Sequence, residues 1–234
     1  GDELYKNADM IISLGGDGTL LGAARRASLY NKPVMGINFG KLGFLTAIEK
    51  ESFFESDFNE LMKSARLEKR MMLEAAVVRG GEEIGRHKVL NDVAIVNANF
   101  SGLISTDIYI ADELLDSFTS DGVVIATPTG STAYSLAAGG PILYPTMSAF
   151  VITPICPHML DSRPIVLPAD KEVITVIREF GKRKASLSAD GLEEQSLQPK
   201  DIIKIMRSDT SAILVKLKAS SFFESLGNKL KGNK

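Results

Sequence analysis

Hydrophobic and polar residues follow two different patterns along the chain, and the pattern changes near residue 66. Before that point, residues 10–14 form an apolar run that predicts a buried strand, and residues 19–30 have apolar positions at helical spacing. Residues 32–40 predict a second strand. This order of strand, turn, helix and strand predicts an α/β domain, Rossmann-like, with at least two parallel strands.

After that point, short segments rich in β-branched residues are separated by Gly, Asp, Asn and Pro. Such spacing is typical of a mostly antiparallel β domain, here expected to be β-sandwich-like. We therefore expect residues 1–66 to form the α/β domain and residues 67–217 the β-rich domain. A further helix is expected after an N-cap at Ser56 or Asp57. The tail, residues 218–234, is expected to end in a helix and to return to the first domain.

Composition excludes several classes of protein. The 234 residues carry 27 Lys and Arg against 29 Asp and Glu, a net charge of -2, and no long basic block. An extended nucleic-acid-binding face is therefore not expected. No apolar run approaches the roughly 20 residues that span a bilayer, and the first residues do not resemble a signal peptide. We expect neither a nucleic-acid partner nor a membrane partner.

Cys156 is the single cysteine, so the chain cannot form an internal disulfide. One thiol is also too little for a structural zinc site. As a nucleophile Cys156 would need a base, and the nearby candidate is His158. We expect a buried structural thiol and a protein of the reducing cytoplasm.

The first candidate site is the turn after the first strand, "LGGDGT" at residues 14–19. Its glycines can take backbone conformations closed to other residues and bring amides to a helix start, where an anion is favoured. Glycine-rich turns also occur for geometry alone, and neither GxGxxG nor GxxxxGK[ST] is present. Asp17 is the informative residue. An acid repels bound phosphates unless a metal ion intervenes or the acid accepts a proton from a hydroxyl.

Two later segments are rich in groups that bind polar ligands. Residues 121–142 concentrate hydroxyls and glycines, which suits a polyhydroxylated or phosphorylated ligand. Alternatively these residues cap a helix that begins near Ser131 and stops at the glycine pair 139–140. Asn91 offers both a donor and an acceptor within "LNDVAI", although a turn or bulge explains it equally well. Asp190, before Gly191, predicts a hairpin turn.

Taken together, these segments resemble the NAD kinase family. The threonine-serine block is specific to that family, whereas lipid kinases of the diacylglycerol type and phosphofructokinases share the glycine-aspartate block. The matching blocks are "LGGDGTLL" at 14–21, "INFGKLGFLT" at 37–46, "LNDVAI" at 90–95, "DGVVIATPTGSTAYSLAAGGPI" at 121–142 and "TPICPHMLDSRPIVLP" at 153–168.

The resemblance implies transfer of a phosphoryl group from ATP or polyphosphate to the adenosine ribose 2′-hydroxyl of NAD, giving NADP. Asp17 would accept the proton, and a divalent metal ion, expected to be Mg²⁺, would come with the nucleotide. The phosphate donor is expected at Gly15, Gly16, Gly18 and Thr19. The residues expected to bind NAD are Asp17, Gly18, Phe44, Asn91, Asp92, Asp121, Thr132, Ala133, Tyr134, Ser135 and Ala137.

The resemblance also implies a homodimer or homotetramer, with the site completed by a neighbouring subunit. The expected contact is residues 153–168, where His158 and Arg163 are polar residues in an otherwise apolar run, and the alternative is a buried, hydrogen-bonded His158. Two positions depart from the family pattern: Thr119 stands where many members have arginine, and Leu192 where several have glutamine. Family members also carry a further strand and helix before the first block. The alternatives are a non-catalytic dinucleotide-binding homologue and a lipid or sugar kinase that shares the glycine-aspartate turn.

Overall fold

The computed structural model describes residues 2–40, 43–98, 102–159, 161–178, 185–217 and 222–230. The chain divides into two compact units, Gly1–Arg70 with Thr210–Lys234, and Met71–Asp209. No helix in these described ranges is long and apolar enough to cross a membrane.

The described chain contains both helices and many short strands. The helices are α1 (Asp2–Asn7), α2 (Asp17–Ser28), α3 (Lys50–Glu55), α4 (Phe58–Lys63), α5 (Tyr134–Ala137) and α6 (Phe222–Leu230). The strands are β1 (Ile11–Leu14), β2 (Pro33–Asn38), β3 (Ile48–Glu49), β4 (Arg66–Arg79), β5 (Glu82–Val89), β6 (Asp92–Asn97), β7 (Ile104–Ile110), β8 (Glu113–Ser120), β9 (Gly122–Ala126), β10 (Ala149–Ile155), β11 (Ile165–Pro168), β12 (Val173–Ile177), β13 (Ala185–Ala189), β14 (Glu193–Leu197) and β15 (Ile202–Lys216).

The first unit is built on parallel strands. β1 and β3 both pair in parallel with β2, and the C-terminal end of β15 also runs parallel to β2. The predicted α/β unit with parallel strands is therefore confirmed. The core beside these strands contains Met35, Ile37 and Val215. The loops that follow parallel strands lie at the same edge of the sheet, at the carboxyl ends of the strands. The turn after β1 and the segment after β2 therefore lie at this edge.

Helix α2 begins two residues earlier than its apolar spacing predicts. Gly16 is its N-cap in an extended conformation, and Asp17 occupies the first turn, where a carboxylate is favoured by the helix dipole. Leu20, Ala24 and Ala27 are buried on one face, as the spacing predicts. The helix therefore presents its first turn, and Asp17 with it, at the strand edge.

Strand β1 is not fully buried, which corrects the expectation from its apolar run. Ile11 and Ser13 are buried, whereas Ile12 and Leu14 are 42% and 59% exposed. The alternation arises because successive side chains of a strand point to opposite faces, and only one face of β1 is covered by described residues.

In α4, the N-cap is Asp57, whose side chain accepts a hydrogen bond from the Glu60 amide.

The second unit is a β-sandwich, as predicted. Its six-stranded sheet has the order β11-β10-β9-β6-β13-β14, with antiparallel pairing throughout. The second layer includes β8, β7, β12 and β15, also antiparallel, and the β4-β5 hairpin. One apolar core joins the layers, with Phe118 from one sheet and Phe150 and Ile125 from the other.

The predicted tail helix is observed as α6. Residues 218–221 and 231–234 of that prediction lie outside the described residues, as do Lys41 and Leu42 of the "INFGKLGFLT" block.

Candidate functional site

Asp17 lies at the start of α2 and is held by the backbone of the segment after β2. Its Oδ2 accepts a hydrogen bond from the Phe44 amide at 2.7 Å. Its Oδ1 accepts hydrogen bonds from the amides of Leu45 at 3.1 Å and Thr46 at 3.4 Å. Three donors fix the carboxylate in one orientation. A carboxylate oxygen has two lone-pair directions, so an oxygen that takes a backbone hydrogen bond can still receive a substrate hydroxyl.

Gly43 makes this arrangement possible. A Cβ at position 43 would overlap the Asp17 carboxylate. The residue is buried, and only a glycine leaves room for the carboxylate to reach the neighbouring amides. The sequence analysis did not single out Gly43, because nothing local to it points to Asp17.

The three glycines of the turn have different roles, and only one of them needs an unusual backbone conformation. Gly15 has φ +151°, its amide donates to the Ile37 carbonyl at 3.0 Å, and a Cβ there would lie 2.6 Å from Thr19 Oγ1. A Cβ at Gly16 or Gly18 would meet nothing within 4 Å, and neither has positive φ. Both leave the N-terminus of α2 bare, open to close approach by another molecule.

Phe44 is half-buried, and its ring centroid lies 6.5 Å from that of Phe222 in α6. Its backbone amide, rather than its ring, contacts Asp17. Within the first unit the structure therefore brings together Asp17, Gly18 and Phe44 of the expected site residues.

In the second unit, Asp190 holds the segment that carries Asn91 and Asp92. Its carboxylate accepts hydrogen bonds from the amides of Leu90 at 2.9 Å, Asn91 at 2.7 Å and Asp92 at 3.1 Å. The Asp190 amide in turn donates to the Asp92 carbonyl at 3.0 Å. Asp190 has φ +55° and lies between the paired strands β13 and β14. The predicted hairpin turn is confirmed. Asp190 has a second role that the sequence did not indicate, since its carboxylate binds the backbone amides of residues 90–92.

Asp92 is buried next to Asp190. Burial raises the pKa of Asp92 to about 7, the negative charge of Asp190 acts in the same direction, and a hydrogen bond from the Tyr134 backbone opposes them. The proximity of two acids in a largely buried setting means that Asp92 titrates near neutral pH.

The Asn91 backbone lies against Gly130, where a Cβ would overlap the Asn91 carbonyl. The Asn91 carbonyl accepts a hydrogen bond from the Thr127 amide at 2.8 Å. Asn91 is partly exposed, and no described residue forms a hydrogen bond with its side-chain amide. The segment therefore presents that amide while its backbone is fixed.

The hydroxyl-rich segment uses several of its hydroxyls internally. Thr127 Oγ1 donates to the Leu90 carbonyl at 2.6 Å, and Ser131 Oγ accepts from the Leu143 amide at 2.9 Å. Ser135 is buried, with its Oγ 2.9 Å from Thr153 Oγ1. These hydroxyls stabilise the loop, and Ser135 is 0% exposed in this conformation.

The helix expected near Ser131 is observed as a 3₁₀ turn, Gly130–Thr132, followed by α5, and Gly139 with φ +89° follows its end. The Thr127 hydroxyl accepts a hydrogen bond from the Gly130 amide at 3.0 Å, at the start of the 3₁₀ turn, whereas α5 has no side-chain cap. A hydroxyl therefore caps the 3₁₀ turn but not α5. Of the expected site residues in this segment, those that are partly or largely exposed are Asp121, Thr132, Ala133, Tyr134 and Ala137.

Asp121 and Tyr134 line one pocket of about 480 Å³ in the second unit, together with Asn97, Ser186, Ser188 and Glu194. Burial raises the pKa of the Tyr134 phenol, and the nearby Asp92, Cys156 and Asp121 raise it further. The pocket has a volume suited to a small polar ring or group, with hydroxyls and carboxylates at its wall.

Cys156 is exposed, which corrects the expectation of a buried thiol. His158 is exposed as well, so the alternative of a buried His158 is wrong. β10 is buried through Ile155, and the chain then leaves the sheet at Cys156 in a left-handed conformation with φ +45°. The His158 amide donates to the Thr119 carbonyl at 3.1 Å, so the backbone is fixed while both side chains point outward.

No group of three or more His, Cys, Asp or Glu side chains in the described part of the chain could hold a metal ion.

Comparison with known proteins gives one family for both units. Residues 2–64 match the ATP-NAD kinase N-terminal domain and residues 90–217 match the ATP-NAD kinase C-terminal domain. An NAD kinase of Caldanaerobacter subterraneus subsp. tengcongensis is 42% identical over 229 residues, which are 98% of this chain and 81% of that protein. An NAD kinase of Symbiobacterium thermophilum is 43% identical over 229 residues, 97% of this chain and 80% of that protein.

Two solved structures are similar over nearly the whole chain. Yeast NADH kinase complexed with NADH has a TM-score of 0.88 and 31% identity, covering 100% of this chain and 69% of that one. An NAD kinase from Archaeoglobus fulgidus in complex with ATP has a TM-score of 0.79 and 27% identity, covering 99% of this chain and 86% of that one.

Proposed function

The chain belongs to the NAD kinase family, and we propose that its Asp17 accepts the proton of the adenosine ribose 2′-hydroxyl of NAD as a phosphoryl group arrives from ATP, giving NADP. A ribose hydroxyl is a poor nucleophile. Phosphoryl transfer depends chiefly on alignment and on charge neutralisation, and a positioned base adds about 10²- to 10⁴-fold.

The observation that carries this proposal is the fixed Asp17 carboxylate. Backbone amides from residues 44–46 hold it at the start of α2, where Gly16 and Gly18 leave the surface bare. A carboxylate that does not rotate loses little entropy when it receives a hydroxyl proton. Asp17 thus has both the chemistry and the constraint that a proton acceptor needs.

The phosphate donor is proposed to lie at Gly15, Gly16, Gly18 and Thr19. The bare amides at the start of α2 favour negative phosphate oxygens, and the absence of a Cβ at Gly16 and Gly18 permits close approach. Mg²⁺ bound to the nucleotide would neutralise phosphate charge. Mg²⁺ commonly takes substrate phosphates among its ligands, and we expect it to come with the nucleotide.

The residues proposed to bind the dinucleotide are those that the family resemblance implies. The Asn91 amide suits the edge of adenine, and Asp92 suits a ribose hydroxyl. Phe44 is proposed to lie against the adenine, and Asp121 and Tyr134 near the nicotinamide end, where the 480 Å³ pocket lies. Gly18, Thr132, Ala133, Ser135 and Ala137 are proposed to line the remainder.

A homodimer or homotetramer is proposed, with residues 153–168 contributing to the contact between subunits. His158 and Met159 present exposed side chains there. The complexes of the yeast and archaeal proteins with NADH and ATP support nicotinamide dinucleotide and ATP as ligands of this chain.

The test is NADP formation by purified protein mixed with NAD, ATP and Mg²⁺, with polyphosphate and NADH as alternative substrates. We expect NADP with ATP, and none when Mg²⁺ is chelated. Folded protein that binds NAD but forms no NADP would contradict the kinase and favour a non-catalytic binder. ATP consumption only with a lipid or sugar acceptor would favour the third alternative.

A further inference from the structure

Lys216 is a buried lysine with no role in the function proposed above. It is the last residue of β15 and is 6% exposed. Its Nζ donates hydrogen bonds to the Leu45 carbonyl at 2.8 Å and the Phe44 carbonyl at 3.3 Å. Burying an ammonium group costs free energy unless its hydrogen bonds are satisfied. The two hydrogen bonds to backbone carbonyls therefore offset much of the cost of burying Lys216.

The same peptide groups that bind Lys216 also bind Asp17. The Phe44 carbonyl and the Leu45 amide belong to one peptide group, which receives Lys216 Nζ on one side and donates to Asp17 Oδ1 on the other. The next peptide group repeats this, with the Leu45 carbonyl toward Lys216 and the Thr46 amide toward Asp17. Two peptide groups therefore bridge the ammonium and the carboxylate.

Such a bridge is stronger than its separate hydrogen bonds. A cation at the carbonyl polarises a peptide group and strengthens the hydrogen bond that its amide donates. It also prevents the peptide plane from rotating, because rotation would break both contacts. The orientation of the Asp17 carboxylate therefore depends on a residue far from it in sequence.

We propose that Lys216 is a positioning residue for phosphoryl transfer, holding the 44–46 backbone so that its amides fix the Asp17 carboxylate. This inference rests on the proposed role of Asp17 as proton acceptor. Lys216 is too buried to meet the substrate, and it acts through the two peptide groups.

The electrostatic surroundings add a dependence on pH. Burial lowers the pKa of Lys216 to about 8, and the nearby Arg70 and Arg66 act in the same direction, against Glu68 and Asp17. Glu68 and Arg70 pair with each other at 2.5 Å. As Lys216 loses its proton, the charge-assisted hydrogen bonds to the carbonyls weaken. Turnover should then fall on the alkaline side of the pH profile.

The experiment compares kcat and the KM for NAD of the wild type with Lys216→Met, Lys216→Arg and Asp17→Asn. Lys69→Met, on the exposed side of β4, is the matched control. We expect Lys216→Met to lower kcat about 10- to 100-fold with little change in KM, since a small displacement of a catalytic group has effects of this size. Lys69→Met should match the wild type. Lys216→Arg, charged at every pH tested, should retain much of kcat and lose the alkaline fall near pH 8.

Wild-type kcat in Lys216→Met, with Asp17→Asn inactive, would overturn the role of Lys216 and leave the proposed function standing. Wild-type kcat in Asp17→Asn would overturn the proposed function itself. If thermal unfolding shows that Lys216→Met does not fold, the pH profiles decide: an unchanged alkaline fall in Lys216→Arg would contradict the inference, and its loss would support it.

Discussion

Gly43 packs directly against Asp17, so closely that any side chain at position 43 would occupy the space of the carboxylate. The backbone conformation of Gly43 is not left-handed, so the need for glycine is purely steric. The approach allows Asp17 to receive three amide hydrogen bonds from the residues that follow. The geometry of the proposed base therefore depends on the absence of one Cβ.

Gly43→Ala should lower kcat by about 10²-fold, because it displaces Asp17 by an ångström or more. The matched control is Gly40→Ala, since a Cβ at Gly40 meets nothing within 4 Å. Steady-state NADP formation measures both. Equal turnover in the two variants would show that the contact between Gly43 and Asp17 does not matter for catalysis.

Asp190→Asn should weaken NAD binding more than it lowers kcat. An NH2 group in place of one carboxylate oxygen cannot accept a hydrogen bond, so at least one of the three backbone hydrogen bonds from residues 90–92 is lost. The remaining oxygen no longer carries the charge that strengthens the others, so the support of Asn91 and Asp92 is weakened. Isothermal titration calorimetry with NAD measures the effect, and Asp112→Asn, an exposed turn residue, is the control. An unchanged Kd for NAD in Asp190→Asn would show that the support of residues 90–92 by Asp190 does not matter for NAD binding.

Asp92→Asn should change the dependence of stability on pH. The pKa of Asp92 is raised to about 7 in the folded protein from 3.8, so the folded state holds an extra proton between these values. Stability of the wild type therefore falls as pH rises through that window, and Asp92→Asn lacks this fall. In urea unfolding, the free energy of unfolding of the variant, relative to that of the wild type, should rise by a few kcal/mol between about pH 4 and pH 7. A constant difference across the window would contradict the raised pKa.

Cys156 should react with a thiol reagent in the folded protein, one equivalent per chain, because its side chain is exposed. A colorimetric thiol assay without denaturant measures it. Reaction only after unfolding would contradict the exposure of Cys156 and support the burial that the sequence predicts.

The sequence predicted those features that depend on local pattern. The period of apolar residues predicted α2 within two residues at each end, and the Asp-Gly pair predicted the turn at Asp190. It also pointed to Asp17, since an acid in a turn able to bind phosphates repels them unless a metal ion intervenes or the acid accepts a proton. Such features need no knowledge of which strand lies beside which.

The remaining features depend on contacts between residues distant in the chain. Gly43, Lys216 and the second role of Asp190 are defined by partners that only the fold brings near. The exposure of Cys156 depends on a left-handed residue at the end of β10, which residue type does not reveal. The open face of β1 was missed for a related reason, since an apolar run does not tell how many faces are covered.

The central claim is that Asp17 accepts the ribose proton, and the most direct test is the turnover of Asp17→Asn under saturating NAD and ATP. The account predicts that kcat falls by about 10²- to 10⁴-fold, while NAD affinity measured by calorimetry changes little and thermal unfolding shows a folded protein. A variant that forms NADP at the wild-type rate would contradict it.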